Sequence, residues 1–365
     1  MTKTIVHICL SKGWGGLEMY PIRTGQAQIA RGWKVLGICL AGTPVAQRMK
    51  KAGLETYEVA SKGEALRSVV SINAWLKKHQ ATLVHSHKSG DMLLSAVLNL
   101  LTKRYSYFTE HMGGNSSKRD LYHKLVYAHL DRLFSISDAT YARNIKNLPM
   151  PIERVHRNWL GTEVIEPVLD AQVVADIRQE FAIPADAKVV GTLGRLDSGK
   201  GVLETIHAFE HMVKAEPNCH LLIVGGLLAS QGSDEAYVAT LKQTVKDLGL
   251  ESQVHFTGFQ SRVPELLAAM DVVCMLSWNE AFGLTLIEAM MAQKAVVASN
   301  SGAYPEILED DALTVNYQDA KQVAEKVLAL FDDDKYQVVA KRLRERALEH
   351  FSLDGHLDRL EQWYQ

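Results

Sequence analysis

The chain has 365 residues, 47% hydrophobic and 22% charged, a composition that excludes a disordered chain and suits a globular protein of two domains of about 150 to 180 residues. No run of 18 apolar residues is present, which excludes a spanning helix. The net charge is only −2, yet residues 1–160 carry 23 Lys and Arg against 10 Asp and Glu, and the rest carry 17 against 32, a split of +13 and −15.

Such a split implies two bodies with different partners. For the basic half these are an anionic glycan or lipid-linked acceptor and peripheral contact with a membrane surface. A merely solvated basic face is the competing reading. Nucleic acid is set aside, because no aromatic and basic interleaving of a binding module is present.

Strand and helix candidates alternate from the start. Thr4 to Leu10 has a short apolar run without a small-residue cleavage site, so it reads as a first strand and not as a signal peptide. Gly13, Gly15 and Gly16 follow, where a backbone can approach a diphosphate closely. Glu18 stands where a dinucleotide fingerprint needs its third glycine, and a glycine turn without a ligand is the alternative. Then come a helix to about Arg31, a strand Lys34 to Leu40, a helix Val45 to Lys51, a strand Glu55 to Val59, a helix Glu64 to His79 and a strand Thr82 to His85. The order implies right-handed β-α-β crossovers and a parallel sheet covered on both faces.

His85 and His87 bracket the end of that strand, and His111 closes the next, Tyr107 to Met112. Strand carboxyl ends of a parallel sheet converge on one edge. Three readings stay open for these imidazoles: a polar acceptor or donor site, satisfied structural histidines, or zinc, for which no ligand pair at helical spacing accompanies them. Gly113 to Asp120, with Lys118 and Arg119, is a polar basic loop that reads as a mobile lid. Tyr122, Tyr127 and Tyr141 beyond it read as packing residues and not as membrane anchors. A strand Leu133 to Ser137, a helix after Asp138 and Val155 to Leu160 complete the half. Cys9, Cys39 and Cys274 lie in strand-like runs and Cys219 adjoins one, so the thiols read as reduced and buried in a cytoplasmic protein.

Asn158 to Ile183 is the crossing, with Pro167 and Pro184 as punctuation around a polar helix. The second half restarts with the strand Lys188 to Leu193, which runs into Gly194-Arg195-Leu-Asp-Ser-Gly-Lys200-Gly201 and a helix from Val202 to about Ala215. Two cations at that turn can neutralise a diphosphate and the charge growing on a leaving group; a solvated basic turn is the alternative. His220 to Gly226, a helix around Tyr237 to Leu248, Val254 to Gly258 and a helix Val263 to Met270 repeat the architecture.

Next comes Asp271 to Ser277, a buried strand, and then Glu280-Ala-Phe-Gly283-Leu-Thr-Leu-Ile-Glu288. Apolar residues recur at Leu284, Ile287, Met290 and Met291, the spacing of a helix packed on a sheet. A glycine loop entering a helix offers free N–H groups to an anion. Glu288 in the first two turns is suited to accept both hydroxyls of a ribose, and Glu280 lies on the other side of the loop. The unit reads as a place for a phosphorylated sugar nucleotide, against the alternative of a solvated loop with two surface carboxylates.

In order and spacing, Gly15-Gly16-x-Glu18, His111, Gly194-Arg195 with Lys200-Gly201, Gly225-Gly226, Val254-x-Phe-Thr-Gly258 and Glu280-Ala-Phe-Gly-Leu-x-x-x-Glu288 resemble the retaining nucleotide-sugar glycosyltransferases of family 4, of the GT-B fold. The resemblance covers nearly the whole chain. It implies two Rossmann-like, doubly wound α/β domains facing across a cleft. Residues 1–165 would bind the acceptor and 166–345 the donor, while 346–365 form a last helix that crosses back to the first domain. Arg195 and Lys200 would grip the donor diphosphate, with the glycine loop at Gly15 and Gly16 closing on it. Glu288 would hold the ribose, and Gly258 would border the base. Glu280, Phe282, Gly283 and Leu284 would contact sugar and phosphates, and His111 the sugar near its anomeric carbon. His111, Glu280, Arg195 and Lys200 are therefore the catalytic candidates, and His85, His87, Lys118 and Arg119 the acceptor-side ones.

Further expectations follow from the resemblance. No cofactor or metal is needed if the two cations serve, and the departing phosphate takes the acceptor proton on the same face. A UDP-sugar donor, a hexose-type sugar and a bacterial lipopolysaccharide or surface-polysaccharide acceptor at the cytoplasmic face of the inner membrane are implied. One departure is Asn158-Trp-Leu-Gly161, where many members have Asn-Gly. A sugar-nucleotide epimerase of the same fold and a non-catalytic sugar-nucleotide binder stand as alternatives. A dinucleotide-dependent dehydrogenase would need the complete glycine fingerprint.

Overall fold

The computed structural model describes residues 3–114 and 116–364; Asn115, in the loop read as a lid, lies outside the described residues. The chain divides into two compact units. One holds the residues up to Leu160 and those from Leu353 on, and the other runs from Gly161 to Ser352.

Unit 1 is built on a parallel sheet of seven strands: β1 (Thr4–Cys9), β2 (Lys34–Leu40), β3 (Glu55–Val59), β4 (Leu83–Ser86), β5 (Tyr105–Glu110), β6 (Arg132–Ser135) and β7 (Val155–Arg157). They run in the order β3-β2-β1-β4-β5-β6-β7. The order reverses between β1 and β4, so the loops after these two strands share one edge of the sheet. The two-residue period of β1 sends Ile5 and Cys9 into one apolar layer and Val6 and Ile8 into the opposite one. The reading of residues 64–79 as one helix is corrected: the backbone breaks at Ser68, giving Lys62–Arg67 and Val69–Lys78.

The last helix, Leu353–Trp363, belongs to this unit. Its Leu357 and Leu360 join the layer that holds Ile5, Cys9 and Trp33, and Tyr364 follows them into it. Arg31 bridges to Asp354 at 2.9 Å and to Asp358 at 2.7 Å. Tyr107 Oη donates to the Trp363 carbonyl at 3.0 Å. The expected return of the tail to the first domain is therefore present from Leu353, whereas residues 346–351, expected in the same helix, end the helix Asp333–Phe351 of unit 2.

Unit 2 carries six parallel strands, β8 (Lys188–Leu193), β9 (Cys219–Val224), β10 (Val254–Gly258), β11 (Val272–Met275), β12 (Ala295–Ser299) and β13 (Thr314–Val315). Their order is β10-β9-β8-β11-β12-β13, with the reversal between β8 and β11. All four cysteines are buried free thiols.

Candidate functional site

The loops after β8 and β11 emerge side by side at the switch point of unit 2. Gly194 follows β8 with φ +145°, and Gly201, at φ +70°, lies so close to β11 that an added Cβ would stand 2.2 Å from the Leu276 carbonyl oxygen. Only glycine fits there, because the left-handed backbone and the close approach coincide. The Gly199 carbonyl accepts from Ser277 Oγ at 2.9 Å and from the Trp278 N–H at 3.2 Å, and Trp278 Nε1 donates to Ser198 O at 3.1 Å. The two loops are thereby locked together.

This lock brings Lys200 onto Glu280. Lys200 Nζ lies 2.6 Å from Glu280 Oε2, with side chains 26% and 16% exposed. Arg195 is the freer cation: its side chain is 64% exposed and its contact to Asp197 is 3.4 Å. Glu280 is held from behind. Its carbonyl accepts from the Ala303 N–H at 3.0 Å, and a Cβ on Gly302, at φ +62°, would fall 2.2 Å from that same oxygen.

Gly283, at φ +98°, opens the helix Leu284–Met291, and a Cβ on it would press to 2.6 Å from the Tyr304 ring. Phe282 is buried at 3%. Leu284 and Glu288, one turn apart, are both half-exposed, while Leu286, Ile287, Met290 and Met291 pack inward. The first turn of this helix leaves backbone N–H groups without intrahelical acceptors, beside the Lys200–Glu280 pair. Gly258 ends β10 at φ +73° with open space around its missing Cβ. Thus Arg195, Lys200, Glu280 and Gly283 on two loops, and Leu284 and Glu288 on the helix that follows, come from one switch point of one sheet.

In unit 1 the glycine loop leads into the helix Gly16–Ala30, capped by Gly15. The loop wraps a carboxylate. Ser11 Oγ donates to Glu18 Oε1 at 2.6 Å and accepts from the Gly13 N–H at 3.2 Å, while Lys88 Nζ reaches Ser11 Oγ at 2.9 Å and Glu18 at 3.3 Å. Glu18, which breaks the glycine fingerprint and closes the Gly15-Gly16-x-Glu18 motif, is the group the loop is built around. Gly16 has nothing within 4 Å of an added Cβ.

The histidines are placed differently from the expectation. His85 and His87 do not line an open edge: they are 0% and 1% exposed. His85 hydrogen-bonds Tyr364 Oη through Nδ1 at 2.5 Å and Thr109 Oγ1 through Nε2 at 2.8 Å. His87 Nε2 lies 2.9 Å from Nδ1 of His7, whose Nε2 is 2.8 Å from Gln28 Oε1. The amide oxygen only accepts, so His7 carries its proton on Nε2 and His87 donates to His7, which leaves the buried His87 Nδ1 as an acceptor without a partner. These two histidines are structural in position, not acceptor-facing.

His111 is 5% exposed, with its ring 4.9 Å from Tyr20 and a buried Nε2 that has no hydrogen-bond partner. Burial, reinforced by Arg23, pushes its pKa down to about 3; burial also lowers His7 to about 4 and His356 to about 3. Among the described residues, the group whose nitrogens could converge on a metal is His7, His85 and His87, within 4.8 Å of one another, and not the sequence trio with His111. His7 was missed because its partners lie 80 residues away or deep in a helix, where no spacing rule reaches.

Lys118 and Arg119 are half-exposed and exposed. The loop they sit on is tied down: the Gly114 N–H donates to Asn144 Oδ1 at 2.8 Å, the Lys118 N–H to Asn147 O at 2.9 Å and Arg119 to Ile145 O at 3.0 Å. Those tethers to the helix Asp138–Asn147 do not suit a freely swinging lid.

Comparison with known proteins places the chain. A model for "Glycosyl transferases group 1" matches residues 173–349, and one for "Glycosyltransferase Family 4" matches residues 14–161. The chain belongs to the group 1, family 4 glycosyltransferases of the GT-B fold. D-inositol 3-phosphate glycosyltransferase of Corynebacterium efficiens is 32% identical over 181 residues, 47% of this chain and 41% of that protein. The chain thus spans about half the length of the curated relatives it matches. Among solved structures, a glycosyltransferase from Rickettsia africae superposes with a TM-score of 0.90 at 19% identity, covering 100% of this chain and 98% of that one. Anabaena Alr3699/HepE, solved with UDP and glucose, gives 0.80 at 20% identity over 98% of each.

Proposed function

We propose that the protein is a retaining glycosyltransferase that moves a hexose-type sugar from a nucleoside diphosphate sugar to an anionic glycan or lipid-linked acceptor. The observation that carries this reading is the convergence of Arg195, the Lys200–Glu280 pair at 2.6 Å and the Gly283 helix entrance at the switch point of unit 2. Cations and free N–H groups there suit a diphosphate. Glu288, one turn into the helix, takes the ribose, and Gly258 leaves room for the base.

Arg195 and Lys200 offset the charge that develops on the departing diphosphate. The bond from the anomeric carbon to the phosphate oxygen breaks as the acceptor oxygen bonds that carbon on the same face, and the acceptor proton passes to the departing phosphate oxygen. With two cations in place the reaction runs without a metal. Glu280, fixed by Gly302 and Ala303, orients the sugar, and His111, Gly15 and Gly16 are assigned to the donor from unit 1. UDP is the proposed nucleotide, in line with the UDP bound by the Anabaena relative. Unit 1, carrying the basic half of the sequence, takes the acceptor. This suits a lipopolysaccharide or surface-polysaccharide precursor met at the cytoplasmic face of a bacterial inner membrane.

Isothermal titration of UDP, GDP, ADP and NAD against wild type and Glu288→Ala tests the reading. One nucleoside diphosphate binds wild type and loses about 2 kcal/mol in the variant, the scale of a charge-assisted hydrogen-bond pair. Absence of binding, or equal binding by the variant, removes the donor assignment.

A further inference from the structure

We propose that unit 1 docks on an anionic lipid bilayer through the outward face shared by the helix Leu121–Tyr127 and the end of the helix Met92–Leu101. The inference rests on the reading of a lipid-linked acceptor and names the surface that would deliver the enzyme to it.

Val126 and Tyr127 anchor the first of these helices in the core at 5% and 1% exposure, yet Leu121, Tyr122 and Leu125 stand out at 73%, 53% and 61%. Here Tyr122 departs from the packing role expected of it; Tyr127 keeps that role. Asn99 Nδ2 donates to the His129 carbonyl at 3.2 Å, which ties the ends of the two helices together. Leu100 and Leu101, 69% and 46% exposed, stand at the end of the second helix. Large aliphatic side chains grouped in this way mark an interaction surface, not scattered surface residues.

The charges beside this surface select the partner. Lys118 and Arg119 lead into the helix, Lys124 lies within it, and Lys103 follows the end of the other. The exposed carboxylate of Asp120 is already engaged: it caps the helix by accepting the His123 N–H at 3.1 Å and lies 2.6 Å from His123 Nδ1. Leucines and a tyrosine beside the exposed Lys103, Arg119 and Lys124 match the interface of a bilayer with anionic headgroups, where the apolar groups enter the acyl boundary and the cations remain at headgroup level. A second copy of the chain would meet the same cations across a symmetric contact, which electrostatics opposes.

The test is vesicle flotation of the full chain with phosphatidylcholine alone and with phosphatidylcholine mixed with phosphatidylglycerol. Wild type floats with the anionic vesicles, and high salt reduces the bound fraction several-fold. The double variant Leu121→Ser/Leu125→Ser loses at least about ten-fold in partitioning. Its unfolding midpoint, held at the wild-type value, shows that the fold is intact. Failure of wild type to bind anionic vesicles, or undiminished binding by the double variant, overturns the proposal. So does a concentration-dependent dimer in sedimentation that the double variant abolishes, which would assign the face to a second copy. Flotation does not depend on donor binding, so this proposal and the nucleotide titration fail separately.

Discussion

Mild acid should destabilise unit 1 through its buried histidines. His7, His111 and His356 are held neutral, with pKa values pushed down to about 4, 3 and 3 chiefly by burial. Their folded pKa values lie below the value of about 6.5 that the unfolded chain shows. Between those limits the unfolded state binds more protons, so stability is complete above about pH 6.5 and falls as pH drops toward 4. At pH 5.5 each group costs between about 1 and 2 kcal/mol, about 4 kcal/mol for the three, against a total stability of about 5 to 15 kcal/mol. His85 and His87, lowered in the same direction, add to the loss. Asp91 works the other way: burial raises it to about 6, so its native form takes up a proton first, an offset of less than about 1 kcal/mol at that pH. Urea unfolding followed by tryptophan fluorescence at pH 7.5, 6.5 and 5.5 measures this. Trp14, Trp33, Trp75, Trp159 and Trp363 report on unit 1, and only Trp278 lies in unit 2. The midpoint should fall steadily across the series. A midpoint at pH 5.5 equal to or above that at pH 7.5 would refute the argument, because the imidazoles would then be taking up protons without cost.

Three further outcomes follow from the geometry. Gly302→Ala combines a left-handed alanine, about 1 to 2 kcal/mol, with an overlap against Glu280 backbone of the kind that costs about 1 to 3 kcal/mol, so calorimetry should show unit 2 melting lower by several degrees. An unchanged melting temperature would mean that the loop accommodates a Cβ. Lys200→Met should weaken UDP at least ten-fold in titration, and Arg195→Ala more than that; undiminished affinity in both variants would remove the diphosphate from this loop. Ser11→Ala deletes the hydroxyl that links the Gly13 N–H, Glu18 and Lys88, so hydrogen exchange at the Gly13 to Gly16 amides should accelerate, and exchange at the wild-type rate would show that the loop is held by other means.

Most strands were legible as short runs rich in apolar residues and closed by glycine or a helix signal, and the parallel topology follows from their alternation with helices; β13, two residues long, is too short to carry such a signal. The loops proposed for the donor were legible for a related reason: their glycines and charges are adjacent in sequence, and a strand-loop-helix unit fixes their neighbourhood locally. What stayed hidden depends on distant partners. His85 looked like an edge residue because its strand ends at Ser86, yet Tyr364, 279 residues away, covers it. His7 sits in the middle of an apolar strand and gained meaning only through its register with His85 across β1 and β4. The helix Met92–Leu101 went unread, since its start at Asp91 is a buried carboxylate that accepts from the Leu10 N–H and not an exposed cap. Lys88 likewise needed the neighbouring loop before it could be paired with Glu18.

The two sheets reverse at equivalent points, but the side chains gathered there differ in what they can offer an anion. At the reversal in unit 1, Lys88 is committed to Glu18 and Ser11, and the surrounding imidazoles are neutral and buried. A cation so engaged adds little attraction beyond its own pair, and a neutral imidazole adds less. At the reversal in unit 2, Lys200 is also paired, through Glu280, yet Arg195 keeps its guanidinium largely in solvent with a single long contact to Asp197. An incoming diphosphate would have only the long Arg195–Asp197 contact to displace, and its charge would then compete with Glu280 for Lys200. On the proposed donor assignment, donor binding and loosening of the Lys200–Glu280 pair would be linked, and the carboxylate would be released toward the sugar only with the phosphates in place. On this argument Arg195 governs donor affinity and Lys200 the coupling between phosphate and sugar recognition.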